Sequence, residues 1–467
     1  MGATNSKEFM PPPPDFGYFC MYFRSPDKIN VLLATEQAVS KLTETVKSIH
    51  GIQDTRNKSG AVICKLAGTP FHRGIKRSQS MMLKFLTCQI LQNIFANGWT
   101  LLVSSTLAQN FDTSAWFFGR QTADRPAEHV SCISFTGSEK NLHVINASDQ
   151  MRDLIQEIIQ EHYSFGLKSA TRHKEGYEYT LKGNSWSDLA AQQLILELFR
   201  GLERRQYAFY GTANLKGYGD SLYFMEKTVG AVSSSEYCLL ALCHNDSVRL
   251  FDTTGTLTPK VGESISMHWD KGIQDIRVTG HVSEWKLRGM PWWASKWEAV
   301  TSRIFLAHVF EDLYSAGYTV HASLTPHAQS LHDKALFILR SGPTQNVKCL
   351  CISCIGTDAV RILNAPDPAL DTIRRVFHER WVKGITGEYN YNGVPEFKLK
   401  GNPFSGSNAH ESAQIHGLFC FLLAALEADS WKLISSADTS AKLSSSETDS
   451  SACYPLDAHS WFMIKHN

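Results

Sequence analysis

The phrase "FKLKGNPF" at Phe397–Phe404 has three counterparts earlier in the chain: "CKLAGTPF" at Cys64–Phe71, "YTLKGNSW" at Tyr179–Trp186 and "WKLRGMPW" at Trp285–Trp292. Aligned on Leu66, Leu181, Leu287 and Leu399, the copies stand 115, 106 and 112 residues apart. A motif that returns at so regular an interval restricts the fold to an array of similar units that stack to bury their apolar faces. The chain is 467 residues long, too much for one ordinary core, so division into units is also what its length requires.

Other elements keep step with the phrase. After it comes an apolar stretch at helical spacing, such as Leu194, Ile195, Leu198 and Phe199. A turn and an aromatic then open a short alternating run: "GWTLLVSS" from Gly98, "QYAFYGTA" from Gln206, "GYTVHASL" from Gly317 and "SWKLISSA" from Ser430. Glycine at such a helix exit supplies the left-handed residue that closes the last turn. A second strand begins at Ala115, Leu222, Leu336 and Trp461, and a third is "CISF" at Cys132, "CLLALC" at Cys238 and "CLCISC" at Cys349. A fourth, such as "LHVINA" at Leu142, leads into another amphipathic helix, and the phrase returns. The expected fold is α+β: four pseudo-repeats of roughly 110 residues with mixed helices and antiparallel strands.

The chain ends at "WFMIKHN", just after a second strand, and "YFCMYF" from Tyr18 reads as the third strand missing there. The expected partition is therefore an arm over 1–15, a half repeat over 16–75, repeats over 76–186, 187–292 and 293–404, and a half repeat over 405–467. Pairing of the N- and C-terminal strands would complete the divided unit and close the array, leaving no open sheet edge. The Ser/Thr-rich stretch 435–452 is expected to be a disordered loop in the last hairpin.

In the phrase itself, Gly68, Gly183, Gly289 and Gly401 are common to all four copies. A backbone geometry that a side chain would forbid explains them, with the following Trp or Phe anchoring the next helix. A second reading has the four turns ringing one shared pocket lined by Trp186, Trp292 and Phe404.

Catalytic signatures are missing from the sequence: there is no phosphate-binding loop, nucleophile elbow, His-Glu-x-x-His pair or kinase motif set. Cys351 and Cys354 form one C-x-x-C, preceded by Cys349, but cysteine recurs on the corresponding strand at Cys20, Cys132, Cys238 and Cys243, which marks it as a small buried residue. His321, His327 and His332 match no zinc spacing, and the glycines of "GTANLKGYG" from Gly211 sit in a hairpin. No catalytic residue, metal site or cofactor is expected, and the chain reads as a non-enzyme. A net charge of +1 gives no footprint for nucleic acid. Eleven cysteines, an odd number spread along the chain, fit a reducing compartment. No run of about 18 apolar residues and no secretory signal is present.

The N-terminus carries the sharpest functional motif. Met1-Gly2-Ala3-Thr4-Asn5-Ser6-Lys7 fits the pattern for myristoylation of Gly2. Pro11–Pro14 would then be a stiff spacer between lipid and body. One myristoyl chain binds a membrane only marginally, so a second signal is needed. The basic run containing Arg73, Lys76 and Arg77 reads first as a solvated connection between units and second as a contact with anionic lipid, which phosphorylation of Ser78 or Ser80 would weaken.

Gly2, the segment Gly98-Trp99-Thr100-Leu101 and the strand at Trp116 together resemble the raftlins, a family of myristoylated proteins associated with membrane rafts. The resemblance covers a small part of the chain and departs at Ala3, where raftlins offer a palmitoylatable cysteine. It implies a membrane scaffold and carries over Gly2 alone. The expected function is a myristoylated peripheral membrane scaffold or adaptor in the cytoplasm, on the cytoplasmic face of a membrane, with a protein partner that the residues do not identify. The alternative is a small-molecule-binding or lipid-binding protein, or an enzyme, with a central pocket lined by the repeated turns.

Overall fold

The computed structural model describes residues 11–13, 15–58, 60–71, 77–107, 112–121, 128–136, 140–183, 186, 188–214, 220–227, 234–326, 333–439, 443–445, 453–455 and 459–467. The first unit runs β1 (Tyr18–Arg24), β2 (Lys28–Leu32), α1 (Glu36–Ile49), β3 (Ile52–Lys58), β4 (Ala61–Leu66), α2 (Arg77–Ala96), β5 (Trp99–Ser105) and β6 (Asp112–Arg120). The second repeats the order with β7 (His129–Phe135), β8 (Asn141–Ile145), α3 (Asp149–His162), β9 (Leu167–Arg172), β10 (Gly176–Leu181), α4 (Leu189–Arg204), β11 (Tyr207–Ala213) and β12 (Ser221–Glu226). The third comprises β13 (Tyr237–Cys243), β14 (Ser247–Phe251), α5 (Thr258–His268), β15 (Ile273–Thr279), β16 (Val282–Leu287), α6 (Lys296–Ser315), β17 (Tyr318–Leu324) and β18 (Asp333–Ser341). The fourth has β19 (Val347–Ile355), β20 (Ala359–Leu363), α7 (Asp367–Arg380), β21 (Ile385–Tyr391), β22 (Val394–Leu399), α8 (Ala409–Ala428) and β23 (Lys432–Ala437). A short hairpin, β24 (Leu443–Ser445) with β25 (Cys453–Pro455), precedes its last strand, β26 (Ser460–His466).

Each unit builds one six-stranded antiparallel sheet, ordered β3-β4-β2-β1-β6-β5 in the first and equivalently in the others. The expected α+β fold with four pseudo-repeats is therefore present, but its phase differs from the reading of the sequence. Strand β1 pairs with β2 and β6, with Cys20 opposite both Leu32 and Phe117. Strand β26 pairs with β19 and β23, with Phe462 opposite Cys351. The terminal strands do not pair with each other, no unit is divided between the termini, and segments 16–75 and 405–467 belong to different sheets. An apolar strand such as "YFCMYF" suits either sheet by its pattern, and its partner within about 100 residues wins because closing the shorter loop costs less entropy. Ser435 and Ser436 lie buried in β23, so the stretch expected as a loop over 435–452 begins with ordered strand; much of its remainder lies outside the described residues.

Packing, rather than strand pairing, joins the fourth unit to the first. Along β1 the side chains alternate. Phe19, Met21 and Phe23 enter the core of α1 and α2, whereas Cys20 and Tyr22 enter a core with Ile415, Leu418, Phe419 and Leu422 of α8. Strand β13 repeats the pattern: Leu240 and Leu242 face its own helices, and Leu239, Ala241 and Cys243 face α4 of the preceding unit. Every sheet is thus covered on both faces, which is why its central strands read as unbroken apolar runs. The unit preceding the first is the fourth, so the four units form a closed ring.

The inner edge strands β5, β11, β17 and β23 meet around the centre of this ring in cyclic order. Each carries a β-bulge at the same place, at Leu102, Tyr210, His321 and Ile434. A bulge re-aims one side chain, and here it sends that side chain back to the preceding unit. The Tyr210 hydroxyl accepts a hydrogen bond from the Leu101 amide at 3.1 Å, and His321 Nε2 lies 2.9 Å from Glu203 Oε1. Leu102 packs against the core of the fourth unit and Ile434 against that of the third.

Candidate functional site

The repeated phrase forms a clamped turn in each unit. Gly68, Gly183, Gly289 and Gly401 all have left-handed φ values, +71°, +99°, +88° and +103°. The residue at the end of each unit's first helix reaches the carbonyl just before that glycine. His50 Nε2 is 3.0 Å from Ala67 O, Trp269 Nε1 donates to Arg288 O at 3.0 Å, Trp381 Nε1 to Lys400 O at 3.2 Å, and the Tyr163 hydroxyl to Lys182 O. In three units a Lys–carboxylate pair closes over the glycine: Lys140 with Asp188, Lys271 with Glu298 and Lys383 with Glu411. Glu298 also accepts the Met290 amide and Glu411 the Asn402 amide, at 3.1 and 2.7 Å. Partial burial pushes both carboxyls up, but the lysine and backbone amide contacts outweigh it and leave both below their ordinary range.

The aromatic that ends each phrase returns to the connection between the first two strands of its own unit. The amides of Phe71, Trp292 and Phe404 donate to Pro26, Asn245 and Thr357 carbonyls at 2.9, 3.0 and 3.0 Å. Trp186 instead uses its indole, donating to Thr136 O at 3.0 Å. All four rings are buried, and each lies in a different core. Trp186, Trp292 and Phe404 therefore do not converge on one pocket, and the expected shared site at the repeated turns is replaced by four separate structural anchors.

Charged groups inside the molecule collect at the seams between units. On three sheets a basic residue of the second strand faces a glutamate of the fourth: His143 with Glu178, Arg249 with Glu284 and Arg361 with Glu396, at 3.0, 2.7 and 2.7 Å. The preceding unit completes two of these groups. Lys84 Nζ of α2 lies 3.3 Å from His143 Nδ1, and Gln192 Oε1 of α4 accepts from Arg249 Nη1 at 2.8 Å. Burial pushes Lys84 down to about 8. In the first unit the equivalent pair is Asn30 and Ile63, so the seam that closes the ring lacks this ion pair. The Lys84–His143–Glu178 chain contains acid, base and amine, but all three side chains are enclosed, and its evident role is to hold two units in register.

The remaining sequence candidates are dispersed. Cys349, Cys351 and Cys354 are buried along β19, and burial pushes the Cys351 thiol up to about 12 and the other two up as well, the opposite of a reactive thiolate. His321 belongs to the bulge described above, while His327 and His332 lie outside the described residues. So do Gly2, Arg73 and Lys76; Arg77 begins α2. Among the described residues no group of three or more His, Cys, Asp or Glu side chains has metal-binding geometry. No described helix is long and apolar enough to cross a membrane.

Sequence reasoning overlooked the outer edge strands β3, β9, β15 and β21. Strand β21 exposes one aromatic, Tyr389, but only β15 exposes large aliphatic side chains, Ile276 and Val278, 55% and 67% accessible. No equivalent position of the other three edges carries a large aliphatic residue.

No curated protein and no solved structure matches the chain. One domain-family model matches it four times, over residues 17–119, 129–225, 236–340 and 348–454. The first three matches run from the first strand of a unit to its last, as the sheets do. The chain belongs to the family this domain defines, carrying the domain in four copies.

Proposed function

We propose that this chain is an N-myristoylated peripheral membrane protein whose four-unit ring serves as a non-catalytic scaffold on the cytoplasmic face. The observation that carries the reading is Met1-Gly2-Ala3-Thr4-Asn5-Ser6, with its unhindered glycine, small neighbours and hydroxyl at the sixth position. The body is suited to such a role. Its sheets are covered on both faces, and its buried charges and repeated turns are committed to joining units rather than to lining a reaction site. Phe16 packs on Phe421 with ring centroids 4.9 Å apart, so the arm leaves the body at the seam between the fourth and first units. Arg73, Lys76 and Arg77 supply the second, electrostatic signal that a single acyl chain needs. The raftlin resemblance points the same way.

The test is fractionation of the full chain and its Gly2→Ala variant between membrane and cytosol, with the intact mass of each N-terminus. The reading requires the myristoyl mass on the wild type and release of the variant from the membrane. An unacylated wild type found only in the soluble fraction would remove it.

A further inference from the structure

The four outer edge strands occupy equivalent positions, so each serves as a control for the others. Strand β15 pairs only with β16. Ile276 lies opposite Trp285, at the position held by Thr55, Ala170 and Glu388 in the other units. Val278 corresponds to Asn57, Arg172 and Asn390. Exposed apolar residues on a free strand edge are a template for pairing, and proteins normally remove them by placing polar groups there; the other three units do so at every one of these positions except Ala170.

The sequence of this edge is self-complementary. An antiparallel pair centred on Ile276 sets Ile276 against its own copy, Asp275 against Arg277, and Arg277 against Asp275. Both charged side chains are exposed, and within one chain they bond each other, with Arg277 Nε 3.0 Å from Asp275 Oδ2. Asp275 Oδ1 also accepts the Ile276 amide at 2.9 Å, so this backbone donor is held by a local, exposed side chain. Exchanging these local bonds for the matching groups of a second molecule keeps every donor and acceptor satisfied, and it covers Ile276. We propose that β15 is a self-association edge, where two copies of this chain join their third-unit sheets across a two-fold axis at Ile276.

The register can be tested with charge swaps on the full chain, followed by light scattering after size exclusion. The wild type should have twice the monomer mass. Asp275→Arg places Arg opposite Arg, and Arg277→Asp places Asp opposite Asp, so each single variant should halve the mass. Mixing the two variants restores both ion pairs and should return the dimer, as should the double variant. Circular dichroism confirms that the exposed substitutions leave the fold intact. A monomeric wild type overturns the proposal and leaves the edge to an extended segment of another protein. Single variants that stay dimeric, or a mixture that stays monomeric, overturn it equally.

Discussion

Tyr22 of the first unit stacks on His416 of the fourth, with ring centroids 4.3 Å apart and planes inclined by 20°. These residues are 394 positions apart, and their contact lies in the core that closes the ring. His416 is enclosed, and its Nδ1 lies 2.6 Å from the Ser412 carbonyl.

Burial pushes His416 down to about 4 from an ordinary 6.5, with Arg24 contributing in the same direction. The folded state favours the neutral ring, so the unfolded state binds more protons between those two values. The stability is fully present above pH 6.5 and is lost as pH falls toward 4, by about 3 kcal/mol over the whole window. His416→Phe keeps a ring against Tyr22 and removes this titration. Urea unfolding at a series of pH values should show a shallower acid loss in the variant than in the wild type.

The clamped turns predict a contrast between two glycines of the third unit. A Cβ on Gly289 would sit 2.5 Å from Glu298 Oε1 and 3.0 Å from Lys271, besides the strain of φ +88°, whereas one on Gly272 (φ +78°) would meet nothing within 4 Å. Gly272→Ala should cost about 1 kcal/mol from backbone strain alone. Gly289→Ala should cost more, because the Lys271–Glu298 pair must open, and denaturant midpoints of the two variants measure the difference.

The helix exits give a prediction in the opposite direction. Gly98 and Gly317 take left-handed φ values there, as the sequence suggests, but Gln206 and Ser430 adopt the same conformation at +68° and +67°. Ser430 is exposed, and Ser430→Gly should stabilise the chain by about 1 kcal/mol by relieving that strain. Gly98→Ser should lose a similar amount. Thermal unfolding of the two variants checks both signs.

The repeat was legible because its signals are local: Leu-x-Gly before an anchor, and a turn with an aromatic before a strand. The edge strands β3, β9, β15 and β21 were not, because side chains such as those of "KSATR" at Lys168–Arg172 are exposed and carry no apolar alternation. The phase of the units was also hidden, since β1 has the same apolar character whether it pairs with β6 or with β26. The shared pocket failed for a related reason. Repetition says that Trp186, Trp292 and Phe404 are equivalent, but equivalent positions in a ring need not face one another. Clasps such as Lys140 with Asp188 join residues 48 apart that no pattern links.

The seam charges predict strong coupling. Glu284→Ala leaves the Arg249 guanidinium half-paired and largely buried, and should cost about 2 kcal/mol, below the figure for a fully enclosed pair because Glu284 is partly exposed. Arg249→Asn with Glu284→Ile installs the residues that the first unit uses at Asn30 and Ile63. The double variant should be more stable than the single, as equilibrium unfolding can measure.

Closure of the ring is tested most directly at its seam, where the Tyr18 hydroxyl donates to Glu427 Oε2 across 409 positions. The ten native cysteines whose side chains are described are buried, so in a Cys453→Ser background a Tyr18→Cys, Glu427→Cys variant treated with a short bis-maleimide should label selectively at the two introduced thiols. Peptide mass spectrometry of the monomer fraction should find these residues linked within one chain. A monomer fraction in which both thiols are modified but never joined would contradict the closed ring and leave an open array of four units.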